Sequence, residues 1–311
     1  MQAIVSHKYG ELNLEEIDKP ELEADRILVR IRAAAANPLD YHEVRGKPYF
    51  ARAFLGLRRP KQSRRGVDAA GIVEAVGENV ADFRPGDEVF GQCRGAFAEF
   101  ARGTDATLAA KPTNLTFEQA AAIPVAAVTA LQALRDHGGI KAGQRVLING
   151  AAGGVGTFAV QIAKAFDAHV TGVCSTRNVE LVRSIGADEI VDYTANDFAR
   201  SGQRYDLVVN VVEARSTRDL TRALTADGTL VVVSGSLRQI FGAMLLRRFR
   251  RRKIVGFIAN VTKPDLLFLK ELVEAGKLTP VIDRTYALNE VPEAIRYLEA
   301  GHARGKVVIT I

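Results

Sequence analysis

The chain is poor in what most special function classes require. Its 311 residues hold two cysteines, Cys93 and Cys174. Far apart, they match neither a zinc-ligand spacing nor a disulfide framework. No apolar run reaches transmembrane length, and MQAIVSHKYG lacks the pattern of a signal peptide. These absences make an intracellular, cytoplasmic location the expectation, with no membrane span. Low-complexity segments and internal repeats are also missing. The net charge of +6 is too modest to demand a nucleic-acid partner, and none is expected. One basic run, Arg247-Arg248-Phe249-Arg250-Arg251-Arg252-Lys253, reads as the solvated rim of a folded element. The same run is the only feature favouring an anionic surface.

At 47% hydrophobic and 25% charged, the composition is that of an ordinary globular protein, and the length allows two domains. Residues 1 to 118 carry short strand candidates at Ala3–Val5, Ile27–Ile31, Gly71–Val76 and Glu88–Phe90, bounded by turn residues. From 119 to 258, apolar runs at 145–149, 169–173, 189–191, 207–211, 229–233 and 254–257 alternate with helical patterns. That alternation predicts an α/β doubly wound parallel sheet. A closing segment, 259 to 311, adds helices over Asp265–Ala275 and Val291–Ala300 and a strand over Lys306–Ile311. Its expected place is back in the first, β-rich domain.

The most informative segment is Asn149–Lys164, NGAAGGVGTFAVQIAK. It follows the strand-like Arg145–Ile148 and enters a helical pattern with Phe158, Ile162 and Phe166 on one face. A strand, a glycine turn and a helix N-terminus form an anion site, where free N–H groups and the helix dipole hold a pyrophosphate. Ala151 replaces the first glycine of the G-x-G-x-x-G form, while Gly153 and Gly156 keep the second and third. The next strand, His169–Val173, ends in Cys174-Ser175-Thr176-Arg177-Asn178 without a carboxylate. An acidic residue there would bind a ribose 2′-hydroxyl; a hydroxyl and a guanidinium instead suit a 2′-phosphate. NADPH is therefore the expected cofactor.

With these segments in order, the chain resembles the zinc-free quinone oxidoreductase (zeta-crystallin-like) branch of the medium-chain dehydrogenases/reductases. The resemblance rests on Asn37-Pro38-Leu39-Asp40-Tyr41, Gly66–Val73 followed by Val76-Gly77, Phe83 and Pro85–Val89, Gly95–Phe100, Ala120–Leu131, the glycine loop, Gly186–Tyr193 and Gly305–Val308. It implies a GroES-like β-rich catalytic domain beside a Rossmann domain, with a homodimer as the default assembly. Where zinc-dependent relatives place Cys, His and Cys, this chain has Asn37, Val67 and about Val125. Valines supply no donor, so no metal is expected. A hydride acceptor that works without a metal is a quinone or an activated enone.

The resemblance also suggests roles. Asn37, Asp40 and Tyr41 would line the catalytic wall. Asn37 would donate to the nicotinamide ribose or the acceptor carbonyl, and Tyr41 would bond or protonate the product oxygen. A turn, a helix cap and a packing ring would account for the same three residues. Gly153, Gly154, Val155 and Gly156 would take the pyrophosphate. Ser175, Arg177 and Tyr193 would take the 2′-phosphate, with Thr129, Asn210 and Lys306 turned towards the cofactor. Two other readings stay open: an alkenal or enoyl-thioester reductase on the same fold, and a dinucleotide-binding interaction protein of low turnover.

Overall fold

The computed structural model describes residues 1–47, 49, 52–212, 215–233 and 253–311, without the side chains of 54 and 55. Arg247–Arg252 of the basic run lie outside them. Lys253 is described: it opens a strand, and its Nζ donates to the His137 carbonyl at 3.0 Å. Among the described residues no helix is long and apolar enough to cross a membrane.

The chain divides into two compact units, Met1–Val125 with Val261–Glu274 and Pro280–Ile311, and Ala126–Asn260 with Ala275–Thr279. In chain order, the first unit supplies β1 (Gln2–Val5), β2 (Asn13–Glu16), β3 (Ile27–Ala36), β4 (Asp68–Val76), β5 (Glu88–Gln92), β6 (Phe100–Gly103) and β7 (Leu108–Ala110). The second supplies β8 (Arg145–Asn149), β9 (His169–Cys174), β10 (Glu189–Asp192), β11 (Tyr205–Asn210), β12 (Leu224–Val232) and β13 (Lys253–Gly256). The chain then returns to the first unit with β14 (Ile282–Ala287) and β15 (Lys306–Thr310).

In the first unit β3 is the spine. The sheet order is β14-β15-β3-β4-β5-β7, with β6 also on β3. β3 ends in Ala33-Ala34-Ala35-Ala36, all buried, because β4 and β15 flank this end and leave room for little beyond a methyl group. Antiparallel pairing sets Val307 opposite Ala36 and Asp68 opposite Ala35. Three distant stretches of sequence thus converge where β3 gives way to the Pro38–Arg45 helix. Asn37 precedes that helix in extended conformation, and Pro38 opens it with φ preset. Gly95–Phe100 forms little regular strand. Regular pairing begins only at Phe100, while Gly95, Ala96 and Phe97 bond irregularly to Arg65 and Gly66.

The second unit is a parallel sheet ordered β10-β9-β8-β11-β12-β13. All of its strand pairs are parallel. The apolar runs of the sequence correspond to these six strands, with offsets of at most five residues at their ends. Helix Gly154–Ala165 buries Phe158, Ala159, Ile162 and Ala163. Each of its two large side chains contributes roughly 2–3 kcal/mol by leaving water. The order reverses direction between β8 and β11, the topological switch point where such sheets bind ligands. Both units together make the mixed α/β architecture of a GroES-like domain and a Rossmann-type domain.

Candidate functional site

In the first unit the convergence at the end of β3 buries four polar residues. Asn37 and Asp40 are 2% exposed, Asp68 is 0% and Lys306 is 3%. Burying these groups is tolerable only if they satisfy one another. Lys306 Nζ donates to Asn37 Oδ1 at 2.6 Å and to the Ala36 carbonyl at 3.3 Å, and lies 3.6 Å from Asp68 Oδ2. Asn37 Nδ2 donates to Asp68 Oδ2 at 2.9 Å and to the Ala35 carbonyl at 3.3 Å. The second Asp68 oxygen accepts the Val125 backbone N–H at 3.1 Å. Burial pushes the Asp68 carboxyl up and the Lys306 ammonium down, while their mutual attraction opposes both shifts.

Asp40 adjoins this network. Its Oδ2 accepts the Asn37 backbone N–H at 2.7 Å, tying off an otherwise open donor at the helix start. Burial pushes its carboxyl up to about 8, against the Asn37 hydrogen bond, with Glu43 and Asp68 adding to the rise. Its protonated form is thereby favoured towards neutral pH. Tyr41 is half-buried, packs against the core of this unit, and sets its ring 4.4 Å from that of His42.

Both amide hydrogens of Asn37 are engaged inside the network, so donation to a ribose or a carbonyl requires breaking one of those bonds. Lys306 directs its ammonium at Ala36, Asn37 and Asp68. The structure makes Asp68 the hub of this network.

In the second unit the glycine segment forms a strand, a turn and a helix. Gly150 has φ +96, which a glycine adopts without strain. Ala151 N–H donates to the Val173 carbonyl at 3.0 Å, clipping the turn onto β9. A Cβ on Gly156 would lie 2.0 Å from the Gly150 carbonyl oxygen, so the helix can start this close to the turn only with glycine there. A Cβ on Gly153 would meet nothing nearer than 3.6 Å; this position is open, as a backbone approached by a ligand must be. The departure at Ala151 has a structural reason. Gly172 on β9 lacks a Cβ, and one built there would come within 3.1 Å of the Ala151 methyl. Ala151 fits because its neighbour across the strand is bare.

The N–H groups of Gly154, Val155 and Gly156 begin a helix of twelve residues and have no partner within it. With the open Gly153, they fit a dinucleotide pyrophosphate. Asn149 and Asn210, opposite each other on β8 and β11, bridge the switch point through Asn149 Nδ2 to Asn210 Oδ1 at 2.6 Å. Asn210 is fully buried and also donates to the Val212 carbonyl at 2.8 Å, so its amide braces the crevice. Thr129 is buried in the Pro124–Gln132 helix.

Ser175 starts a single turn of 3-10 helix, Thr176–Asn178, beyond β9, and Arg177 projects from it, exposed. Tyr193 follows β10, is 54% exposed, and its N–H donates to the Cys174 carbonyl at 3.0 Å. The structure therefore brings Ser175, Arg177 and Tyr193 to one end of two adjacent strands. It brings a fourth group there that the sequence did not flag. Asp192 pairs with Cys174 and accepts the Thr176 hydroxyl at 2.5 Å. That bond, with others from Thr194, holds its carboxyl below the usual range. Burial, then the Asp192 charge, push the Cys174 thiol up to about 11. The sequence reading sought a carboxylate on β9 and not on the strand beside it; parallel register was the available signal.

Comparison with known proteins supports the two-domain fold. Residues 23–132 match the alcohol dehydrogenase GroES-like domain, and residues 185–309 match the zinc-binding dehydrogenase model. The chain is 35% identical to NAD(P)H oxidoreductase RTN4IP1, mitochondrial, of Homo sapiens, over 92% of this chain and 82% of that one. It is 33% identical to the 2-methylene-furan-3-one reductase of Solanum lycopersicum, over 97% of this chain and 76% of that one. The solved structure of the quinone oxidoreductase from Coxiella burnetii superposes with a TM-score of 0.90 at 29% identity, covering 100% of this chain and 99% of that one.

Proposed function

Since the chain belongs to the medium-chain dehydrogenase/reductase superfamily, in its quinone oxidoreductase branch, we propose that it transfers a hydride from NADPH to a quinone or an activated enone without a catalytic zinc. The observation that carries the reading is the cradle after β8, open at Gly153 and closed against its own turn at Gly156. A reduced nicotinamide supplies the hydride when bound. Gly153, Gly154, Val155 and Gly156 hold the pyrophosphate by backbone N–H groups. Ser175, Arg177 and Tyr193 hold the adenosine 2′-phosphate.

In the first unit, Lys306 and Asp68 lock the Asn37 side chain and so fix the start of the Pro38–Arg45 helix, which carries Asp40 and Tyr41. Tyr41 hydrogen-bonds the oxygen of the acceptor as charge develops on it. The donor chemistry supports the zinc-free part: Val67 and Val125 offer no ligating side chain, and the Asn37 amide is engaged by Lys306, Asp68 and Ala35.

The test is loss of absorbance at 340 nm with NADPH and NADH in parallel, against quinones and enones, in the presence of EDTA. NADPH-preferring turnover that survives chelation supports the reading. No turnover with any acceptor, or turnover abolished by EDTA, overturns it. An enone, or an enoyl group of the same electronic kind, is the second acceptor class, favoured by the similarity to a furanone reductase. A homodimer paired through an exposed sheet edge belongs to the same proposal, and light scattering measures it.

A further inference from the structure

A carboxylate stands against the turn that follows β9, and both of its oxygens are held. β10 lies parallel to β9 and sets Asp192 opposite Cys174, one residue before Ser175. Thr176 Oγ1 donates to Asp192 Oδ2 at 2.5 Å. Thr194 donates to Oδ1 twice, by its backbone N–H at 2.9 Å and its hydroxyl at 2.7 Å. The two threonine hydroxyls lie 2.9 Å apart and close the group into one cluster.

Three consequences follow from this geometry. All three donors are neutral, and no cation is paired with Asp192 among the described residues, so the full negative charge remains at the strand end. The clamp comes from two sides, so the charge cannot swing away when a ligand arrives. Finally, the Thr176 hydrogen is committed to Asp192 and is not offered to a ligand, although Thr176 sits between Ser175 and Arg177.

We propose that Asp192 sets how strongly this protein discriminates between NADPH and NADH: its fixed charge beside the Ser175–Arg177 turn opposes a 2′-phosphate and leaves a 2′-hydroxyl untouched. The proposal rests on the reading of that turn as the adenosine ribose site. A 2′-phosphate carries close to two negative charges at neutral pH. Repulsion between it and one carboxylate across a solvated turn weakens binding on the order of threefold to tenfold, and salt screens the effect. Arg177 pulls in the other direction. The net preference is then a balance of two opposed charges, smaller than Arg177 alone would produce.

The experiment compares the intact protein with Asp192→Asn and Asp192→Ser. Dissociation constants for NADPH and NADH are measured by reduced-nicotinamide fluorescence at low and high salt. Both variants are expected to bind NADPH about threefold to tenfold more tightly at low salt, to bind NADH within about twofold of wild type, and to lose the gain at high salt. Equal changes for both nucleotides, or a gain that salt does not alter, overturn the proposal and leave the ribose-site reading standing. If the wild-type protein binds neither nucleotide, that reading fails and takes the proposal with it. Thermal melts identify a variant that fails to fold. The second neutral substitution then decides, because serine can still accept from Thr194.

Discussion

Replacing Lys306 by methionine tests the buried network directly. The substitution keeps much of the aliphatic length and removes the ammonium, which leaves the Asp68 carboxylate, 0% exposed, without its cation. Two independent estimates give the cost. Coulomb attraction across 3.6 Å at an effective dielectric of about 20 is roughly 4–5 kcal/mol. Protonating Asp68 instead, from an ordinary value near 3.9, costs about 4 kcal/mol at pH 7. Both agree with the ~3–5 kcal/mol typical of breaking a buried pair. Asp68→Asn alone strands the lysine at a similar cost.

The double substitution removes both charges, so it should cost at least about 2 kcal/mol less than the two single costs combined. The assay is urea unfolding followed by far-UV circular dichroism for the wild type, both single variants and the double variant. A coupling below about 0.5 kcal/mol, the level of an exposed pair, would refute the argument that this network holds the end of β3.

Three further predictions concern single side chains. The Asp40 carboxyl is raised in the folded state from an ordinary value of 3.8 to about 8. Its stabilising contribution is therefore full below the unfolded value, declines by about 1.4 kcal/mol per pH unit above it, and is lost once pH passes 8. Asp40→Asn should remove that slope, so its melting temperature should gain on wild type as pH rises from about 5 to 8; parallel melting curves would falsify this account. Gly156→Ala forces a methyl against the Gly150 carbonyl and should destabilise by about 1–3 kcal/mol, whereas Gly153→Ala should melt like wild type and still weaken NADPH binding by about tenfold or more. Arg177→Ala should raise KM for NADPH by roughly tenfold with far less effect on NADH. Equal losses for both nucleotides in steady-state kinetics would remove Arg177 from the 2′-phosphate site.

The legibility of this chain varies with the physical origin of each feature. The central strands of the second unit, β8, β9 and β11, are buried on both faces, so they read as plain apolar runs between glycine and charged punctuation. β2, Asn-Leu-Glu-Glu, is a polar edge strand paired only with β1, and nothing in its composition separates it from a loop. The strand, turn and helix of the glycine segment were legible because they are local: Gly153 and Gly156 lie three residues apart. The buried network was not, because Lys306 and Asn37 are 269 residues apart and only β-sheet register brings them together. Each was singled out as a ligand contact; in the structure Lys306 also donates to Asn37. Asp192 was missed for the same reason at shorter range.

The fit between Ala151 and Gly172 constrains how this protein can evolve. A methyl group has one place to sit, and here the loop holds it and not the strand. Restoring a glycine at 151 opens a void but no clash, so that step is accessible first. Adding a side chain at 172 is not the mirror image, since its Cβ would also come within 2.5 Å of Val182 Cγ1. Moving the methyl to the strand requires Val182 to shift and Ala151 to give way slightly, so substitutions at these positions are coupled. A linear pattern that demands glycine at 151 scores that position alone and passes over this chain, although the packed contact with Gly172 accounts for the change.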